Sequence, residues 1–552
     1  MNPFPKTGAI KSLLIANRGE IAIRVMRAAT ELGIRTIAIH SQEDRFSLHR
    51  TKADESYLVG DGKGPIDAYL DIDDIIRVGV EARADAVHPG YGFLSESPEF
   101  AEACAAANIT FVGPLPDTMR RLGNKVEARN LAMAAGVLVM PATPPLPADG
   151  DQVLAMARLV GFPVMLKASW GGGGRGMRIV EDDRELIETV AAARREAKAA
   201  FGKDEVYLEK LIRRARHVEV QILGDSHGNL VHLYERDCTV QRRNQKVVER
   251  APAAFLNDAQ RAELFEAALK IGRAVGYRAA GTVEFLQDAD TGKFYFIEVN
   301  PRIQVEHTVT ECVTGIDLVK AQIRIAAGAR IGTAESGVPR QEDIRVNAHA
   351  LQCRVTTEDP ENNFVPDYGR VTAYRSPAGF GIRLDAGTAY AGAIITRFYD
   401  SLLVKVTAWS PTPEETIARM HRALWEFRIR GVVTNLRFLD QLIMHPRFAS
   451  ADYTTKFIDQ TPELFRSPRK RDRATRLLSF IGDVIVNGNP EVKGRARPKQ
   501  AVFPRLPRTT LRPPPAGTKQ KLDELGPEKF ADWMLRESRV LLTDTSMRDA
   551  HQ

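Results

Sequence analysis

The segment from Gly281 to His307 constrains the fold more than any other, because two strand-like runs, GTVEFL and FYFIEV, are separated only by QDADTGK. Alternation within each run gives a period of two, and an Asp/Thr/Gly cluster is turn chemistry, so residues 283–299 read as an antiparallel hairpin. A turn centred on Thr291 sets Glu284 directly opposite Glu298. Like charges opposed in a ladder repel, and the pairing makes sense if a hard cation such as Mg²⁺ takes an oxygen from each, with Asn300 as a third donor. The other arrangement is a register slipped by one residue, which puts the carboxylates on opposite faces. Just beyond, VNPRIQVEH crowds Asn300, Arg302, Gln304, Glu306 and His307 together, a site-like density of polar groups.

Upstream, SLLIA, NRGE, IAIRVMRAATEL and RTIAIH read as strand, turn, helix and strand, a βαβ unit of a parallel sheet. Its turn lacks GxGxxG, so no dinucleotide site follows. In SPEFAEACAAAN, Ser97 is an N-cap and Pro98 opens a helix, and residues 1–122 are expected to form a doubly wound α/β domain whose NRGE and HPGYGFLSES loops line a cleft. Further on, WGGGGRG lies between the strands FPVMLKAS and MRIV. It reads either as a flexible linker or, with Lys167 beside it, as backbone N–H groups wrapped around phosphate; it is not a P-loop, since GK[ST] is missing. His217, on the strand RARHVEVQILGD, is a structural residue or a ligand. ERDCTVQRRNQKVVERAP is a solvated charged face or, beside two carboxylates and a glycine loop, part of the same site.

Residues 331–457 alternate in short runs broken by Gly, Pro and Asp and describe a β-rich domain closed by the helix TPEETIARMHRALWEFRIRG. Residues 458–490 read as a basic helix with a strand-like DVIVNG, residues 490–516 as a proline-rich linker, EKFADWMLRES as a helix and RVLLTDTSMRDAHQ as the start of a strand. The net charge of +7 is regional: residues 461–521 carry 15 Lys/Arg against 4 Asp/Glu, so the bulk of the chain is mildly acidic. That basic segment lacks interleaved aromatics and is proline-rich, which argues against nucleic acid. No run of eighteen apolar residues suggests a membrane span, and Cys104, Cys238, Cys312 and Cys353, far apart and without metal-ligand spacing, are expected to be free thiols in a reducing cytoplasm.

Six motifs in order, IANRGEIA, HPGYGFLSE, KASWGGGGRGM, ERDCTVQRRNQKVVERAP, FIEVNPRIQVEH and HALQCRVTTEDP, make residues 10 to about 455 similar to the biotin carboxylase family of ATP-grasp ligases. The resemblance implies an ATP-grasp domain over 123–330 with a mobile lid at about 141–210, and a C-terminal domain over 331–457. Carried over motif by motif, it assigns ATP to Lys125, Lys167, Gly173, Gly174, Glu209, Lys210, His217 and Asn244, and Mg²⁺ or Mn²⁺ to Glu284, Glu298 and Asn300. Bicarbonate falls to Lys246, Arg302, Gln304 and the backbone of Val305, with Glu306 as base and Arg354 against the biotin ureido oxygen. Asn244 stands where separate bacterial biotin carboxylase subunits carry a histidine.

LLTDTSMRDAHQ resembles the opening strand of the carboxyltransferase barrel in the pyruvate carboxylase family. Residues 458–535 would then be a linking allosteric segment and 536–552 the start of that barrel, where Asp549, Arg548 and Gln552 would be inert without the rest. The expected reaction is ATP- and bicarbonate-dependent carboxylation of biotin, the biotin being carried on a domain whose Ala-Met-Lys-Met acceptor is absent from these residues. The resemblance also implies a homo-oligomer and activation by acetyl-CoA through the run from Arg469 to Arg476. The alternative is an ATP-grasp ligase acting on another acceptor.

Overall fold

The computed structural model describes residues 10–169, 177–201, 204–465, 473–489, 491, 494–496 and 515–542. Two compact units, 1–468 and 469–552, are distinguished by their internal contacts.

The first unit opens with five parallel strands in the order Glu55–Leu58, Arg35–His40, Ser12–Ile15, Ala86–His88, Thr110–Phe111. Strand order reverses beside Ser12–Ile15, and the loops leaving the carboxyl ends of the two strands at such a reversal bound a crevice. Those loops are the two named above, and Asn17 ties them together by donating from Nδ2 to the carbonyls of Pro89 (2.7 Å) and Tyr91 (2.8 Å). The helix Pro98–Ala106 starts as its sequence requires, with Pro98 in the first turn and Ser97 Oγ accepting from the Phe100 N–H at 3.1 Å.

The second layer is one antiparallel sheet of eight strands in the order Phe294–Asn300, Ala279–Asp288, Ala215–Gly224, Leu230–Arg242, Gln245–Ala251, His349–Thr356, Leu402–Ser410, Ile382–Ala386. It runs on both sides of residue 330, because Val248 pairs with Cys353 and Glu249 with Gln352. The helix Gly19–Glu31 joins the two sheets: its Ile21 and Val25 share a core with Leu223 and Leu233 of the large sheet and with Ile303, a fully buried residue in the loop after the hairpin. Burying Ile303 contributes about 1.5–3 kcal/mol, which holds that loop against the sheet.

A third, three-stranded antiparallel sheet, Arg178–Val180, Val164–Ala168 and Val206–Lys210, packs with the helices Gly150–Val160 and Asp183–Phe201. Its own core includes Val153, Leu166, Leu186 and Leu208. The glycine loop with Gly173, Gly174 and Arg175 lies outside the described residues.

In the second unit DVIVNG is not a strand: Asp483 to Asn487 end the helix Arg473–Asn487. Leu477, Leu478, Ile481 and Ile485 recur at three- and four-residue spacing, and that helical period overrides the local β-branched run. Arg539 to Leu542, two residues beyond the helix Thr518–Arg536, form no strand, and the rest of that expected strand start, 543–552, lies outside the described residues. Among the described residues no helix is long and apolar enough to cross a membrane, and all four cysteines are free thiols.

Candidate active site

The hairpin has the metal-compatible register. Glu284 pairs with Glu298 and Thr282 with Asn300, whereas Phe285 pairs with Phe296, so one extra residue, the exposed Ile297, is accommodated between the glutamates and the turn. Nearer the turn the pairing is symmetric about the Asp290–Thr291 peptide, and the bulge supplies the single-residue step that brings the two carboxylates face to face. Glu284 also pairs with Glu219 on the next strand, and Glu219 with Arg236 beyond it, so Arg236, Glu219, Glu284 and Glu298 form one row across four strands.

The row is electrostatically uneven. Burial would raise the Glu284 carboxyl, but Lys246 and then His217 outweigh it and hold it well below the usual range. Glu298 is pushed up, first by burial and then by the negative charge of Glu284. Its partner cation, Lys125 at the start of the helix Lys125–Ala134, stands 3.9 Å from Oε2. Glu219, Glu249, Glu284, Glu298 and Glu306 together outnumber Lys125, Lys246, Arg236 and Arg354, five to four, so this oxygen-rich donor set fits a hard divalent cation. Asn300 donates to Glu284 Oε1 at 2.8 Å and turns its Oδ1 towards Arg302 at 3.3 Å. His217 Nε2 lies 2.8 Å from Glu284 Oε2, and donor atoms of His217, Glu219 and Glu284 all fall within 4.8 Å of one another, so the imidazole borders the same donor set.

Glu306 is the second focus. It is 2 % exposed, accepts from Lys246 Nζ at 2.6 Å through Oε1 and from Arg354 Nη2 at 3.0 Å through Oε2. Burial alone would raise this carboxyl, yet Lys246, Arg354 and Arg236 dominate and keep it ionised far below its ordinary range. Lys246 also reaches Glu219 (2.5 Å) and Glu284 (3.0 Å); burial would discharge its ammonium, and these carboxylates hold it charged. Arg354 is aimed by Glu249, whose Oε1 accepts from Nε at 2.6 Å while its Oε2 accepts from Gln352 at 2.8 Å. Gln304 donates to Glu284 Oε1 at 2.7 Å and accepts from Arg236 at 2.8 Å, and Lys405 Nζ holds the Val305 carbonyl at 2.9 Å. Arg302 is engaged by Glu96 at 2.6 Å.

The residues assigned to nucleotide divide. Lys167 and Glu209 contact each other from one face of the small sheet. Lys210 points to the opposite face, where its Nζ donates to the carbonyls of Gly161 (2.7 Å) and Phe162 (2.9 Å). Asn244 is exposed in the two-residue turn between Arg242 and Gln245, and both Arg243 (φ 49°) and Asn244 (φ 65°) adopt the left-handed backbone. Asparagine tolerates that conformation, which gives it a backbone reason to stand there.

Glu219, Arg236 and Glu249 were not singled out by sequence reasoning. The available signal lies in HVEVQ: His217, Glu219 and Gln221 recur every second residue in a strand whose intervening Val218 and Val220 are fully buried, so a polar stripe faces another layer. Arg236 completes that stripe with all of its donors used, on Glu219 (2.5 Å), Gln221 (2.7 Å), Thr310 (3.0 Å), Thr282 (3.0 Å) and Gln304 (2.8 Å).

Three family models match the chain: the N-terminal domain of biotin carboxylase over 9–119, the ATP-binding domain of the carbamoyl-phosphate synthase L chain over 124–334, and the C-terminal domain of biotin carboxylase over 352–460. The pyruvate carboxylase of Bacillus subtilis is 51 % identical over 544 residues, covering 99 % of this chain and 47 % of the relative. A solved variant of Rhizobium etli pyruvate carboxylase with the allosteric activator acetyl coenzyme A has a TM-score of 0.81 at 66 % identity, over 99 % of this chain and 48 % of that one. The chain thus spans about half the length of the curated relatives it matches. The biotin carboxylase domain of Hydrogenobacter thermophilus 2-oxoglutarate carboxylase, solved with MgADP, ADP and bicarbonate, is matched over its full length at 42 % identity, with a TM-score of 0.79 and 84 % of this chain covered. Matched domain by domain by the family models and along the whole length of that biotin carboxylase domain, the chain belongs to the biotin carboxylase family.

Proposed function

We propose that this chain carboxylates biotin with bicarbonate and ATP, and that in the whole protein this is the first half-reaction of pyruvate carboxylation. The observation that carries the reading is a buried carboxylate, Glu306, held between Lys246 and Arg354, with Lys246 shared with Glu284 of the Glu284–Glu298 pair. Bicarbonate attacks a phosphorus atom poorly until it loses its proton and the phosphate charge is offset, so the reaction needs a base, cations and a metal close together.

Glu306 takes the bicarbonate proton, and Lys246 faces the incoming anion. As the protein stands, the two cations make Glu306 a weak base. An anion that draws the charge of Lys246 onto itself relieves this, so Glu306 becomes basic when substrate arrives. Glu284, Glu298 and the Asn300 amide would hold Mg²⁺ or Mn²⁺, which when bound offsets phosphate charge. Deprotonated bicarbonate displaces ADP to give carboxyphosphate, whose breakdown releases CO₂ and phosphate; phosphate removes the biotin N1′ proton, Arg354 faces the resulting enolate oxygen, and N1′ then adds to CO₂ to give carboxybiotin. Lys125, Lys167, Glu209, Lys210, His217 and Asn244 are assigned to the nucleotide side. Closure of the 141–210 segment over the nucleotide would keep water from carboxyphosphate. A biotinylated carrier domain, homo-oligomeric assembly, cytoplasmic location and an acetyl-CoA response are part of the same reading; Lys470 and Arg471, assigned to that response, lie outside the described residues.

Arg354→Ala is the discriminating test. Carboxylation of free biotin is expected to fall about 10²–10³-fold, while bicarbonate-dependent ATP cleavage without biotin stays within about tenfold of the unsubstituted chain. Equal retention of both activities would remove Arg354 from the biotin side, whereas ATP cleavage by the unsubstituted chain that is insensitive to biotin and forms no carboxybiotin would favour a ligase acting on another acceptor.

A further inference from the structure

Three consecutive residues of the active-site loop are held by four different cations. Arg236 holds Gln304, Lys246 and Arg354 hold Glu306, and between them Lys405 donates to the Val305 carbonyl at 2.9 Å. Lys405, like Arg236, has no exposure at all, so its ammonium is held by protein groups alone. Those groups come from separate parts of the fold. Its cross-strand partners are Arg354 on one side and Asp385 on the other. Its ammonium forms an ion pair with Glu20 Oε1 at 2.9 Å, from the first turn of the helix Gly19–Glu31, and Glu20 in turn accepts from the Tyr91 hydroxyl of the HPGYG loop. The other Glu20 oxygen is buried without a partner, so Lys405 and Tyr91 are what keep this carboxylate in place.

The Val305 carbonyl belongs to the peptide that also carries the Glu306 N–H. Fixing that oxygen fixes the rotation of the peptide, and with it the direction in which the Glu306 side chain leaves the loop. We propose that Lys405 is a positioning residue for the reaction: it sets the 305–306 peptide so that Glu306 meets bicarbonate in line with Lys246, and through Glu20 it makes that setting depend on the loops of the parallel sheet. The inference rests on the function proposed above.

Lys405→Met removes the donor at similar length but strands Glu20, so Glu20→Gln/Lys405→Met, which removes both charges, is measured beside it. Steady-state ATP cleavage is recorded against bicarbonate and against ATP, with thermal unfolding of each protein. The expected result is a fall of about 10²-fold in kcat/KM for bicarbonate, including a raised KM for bicarbonate, with KM for ATP within about twofold of the unsubstituted chain. A folded variant with unchanged KM for bicarbonate, or with both KM values raised alike, would overturn the proposal. So would failure of both variants to fold, which would make Lys405 a scaffold residue only. If the unsubstituted chain showed no bicarbonate-dependent cleavage, the parent reading would fall instead, whatever the variants do.

Discussion

Replacing Glu306 by glutamine is expected to slow bicarbonate-dependent ATP cleavage about 10²–10⁴-fold, the range associated with loss of a positioned general base. Glutamine preserves the volume between Lys246 and Arg354 and still offers one carbonyl oxygen, so the loss should appear in kcat with ATP binding retained. The pH dependence of stability should change as well. The folded-state carboxyl lies well below its unfolded value of about 4.3, so its ion pairs contribute fully above that pH and are lost as pH falls through the folded pKa. Urea midpoints of the variant should therefore vary less with pH on the acid side than those of the unsubstituted chain. Equal rates for the two proteins would remove Glu306 from the role of base.

The second large effect is on folding. Arg236 is fully buried, and its removal as Arg236→Leu leaves Glu219, also fully buried, without its closest guanidinium partner. Breaking a buried pair from one side costs about 3–5 kcal/mol, and here Gln221, Thr282, Thr310 and Gln304 lose donors as well. A clear drop in the urea midpoint is expected, partly recovered in Glu219→Gln/Arg236→Leu, where no unpaired charge remains. An unchanged midpoint would mean that water or Lys246 satisfies Glu219 unaided.

How much of this was legible in the chain depends on the range of the interaction. The βαβ unit, the Ser97–Pro98 helix start and the hairpin are local patterns, and each stands where its residues indicated. The facing of Glu284 and Glu298 was readable only as one of two registers, because the bulge at Ile297 that completes it leaves no mark in the strand alternation. The row from Arg236 to Glu298 brings together residues on four strands spread over more than sixty positions, and no local spacing reveals it. Lys210 shows the reverse limit: Glu209 and Lys210 are adjacent in sequence, yet strand alternation sends them to opposite faces. DVIVNG was misread because three β-branched residues in a row suggest a strand, while the helix period is visible only over the longer window from Leu477.

The central claim is that Glu306, Lys246 and the Glu284–Glu298 pair form one centre that spends ATP only to activate bicarbonate. The direct measurement is ADP release by the unsubstituted chain with ATP and Mg²⁺, with and without bicarbonate, and with free biotin added. ADP release that requires bicarbonate and yields carboxylated biotin is the predicted result; cleavage at the same rate without bicarbonate, or none when all components are present, would contradict it.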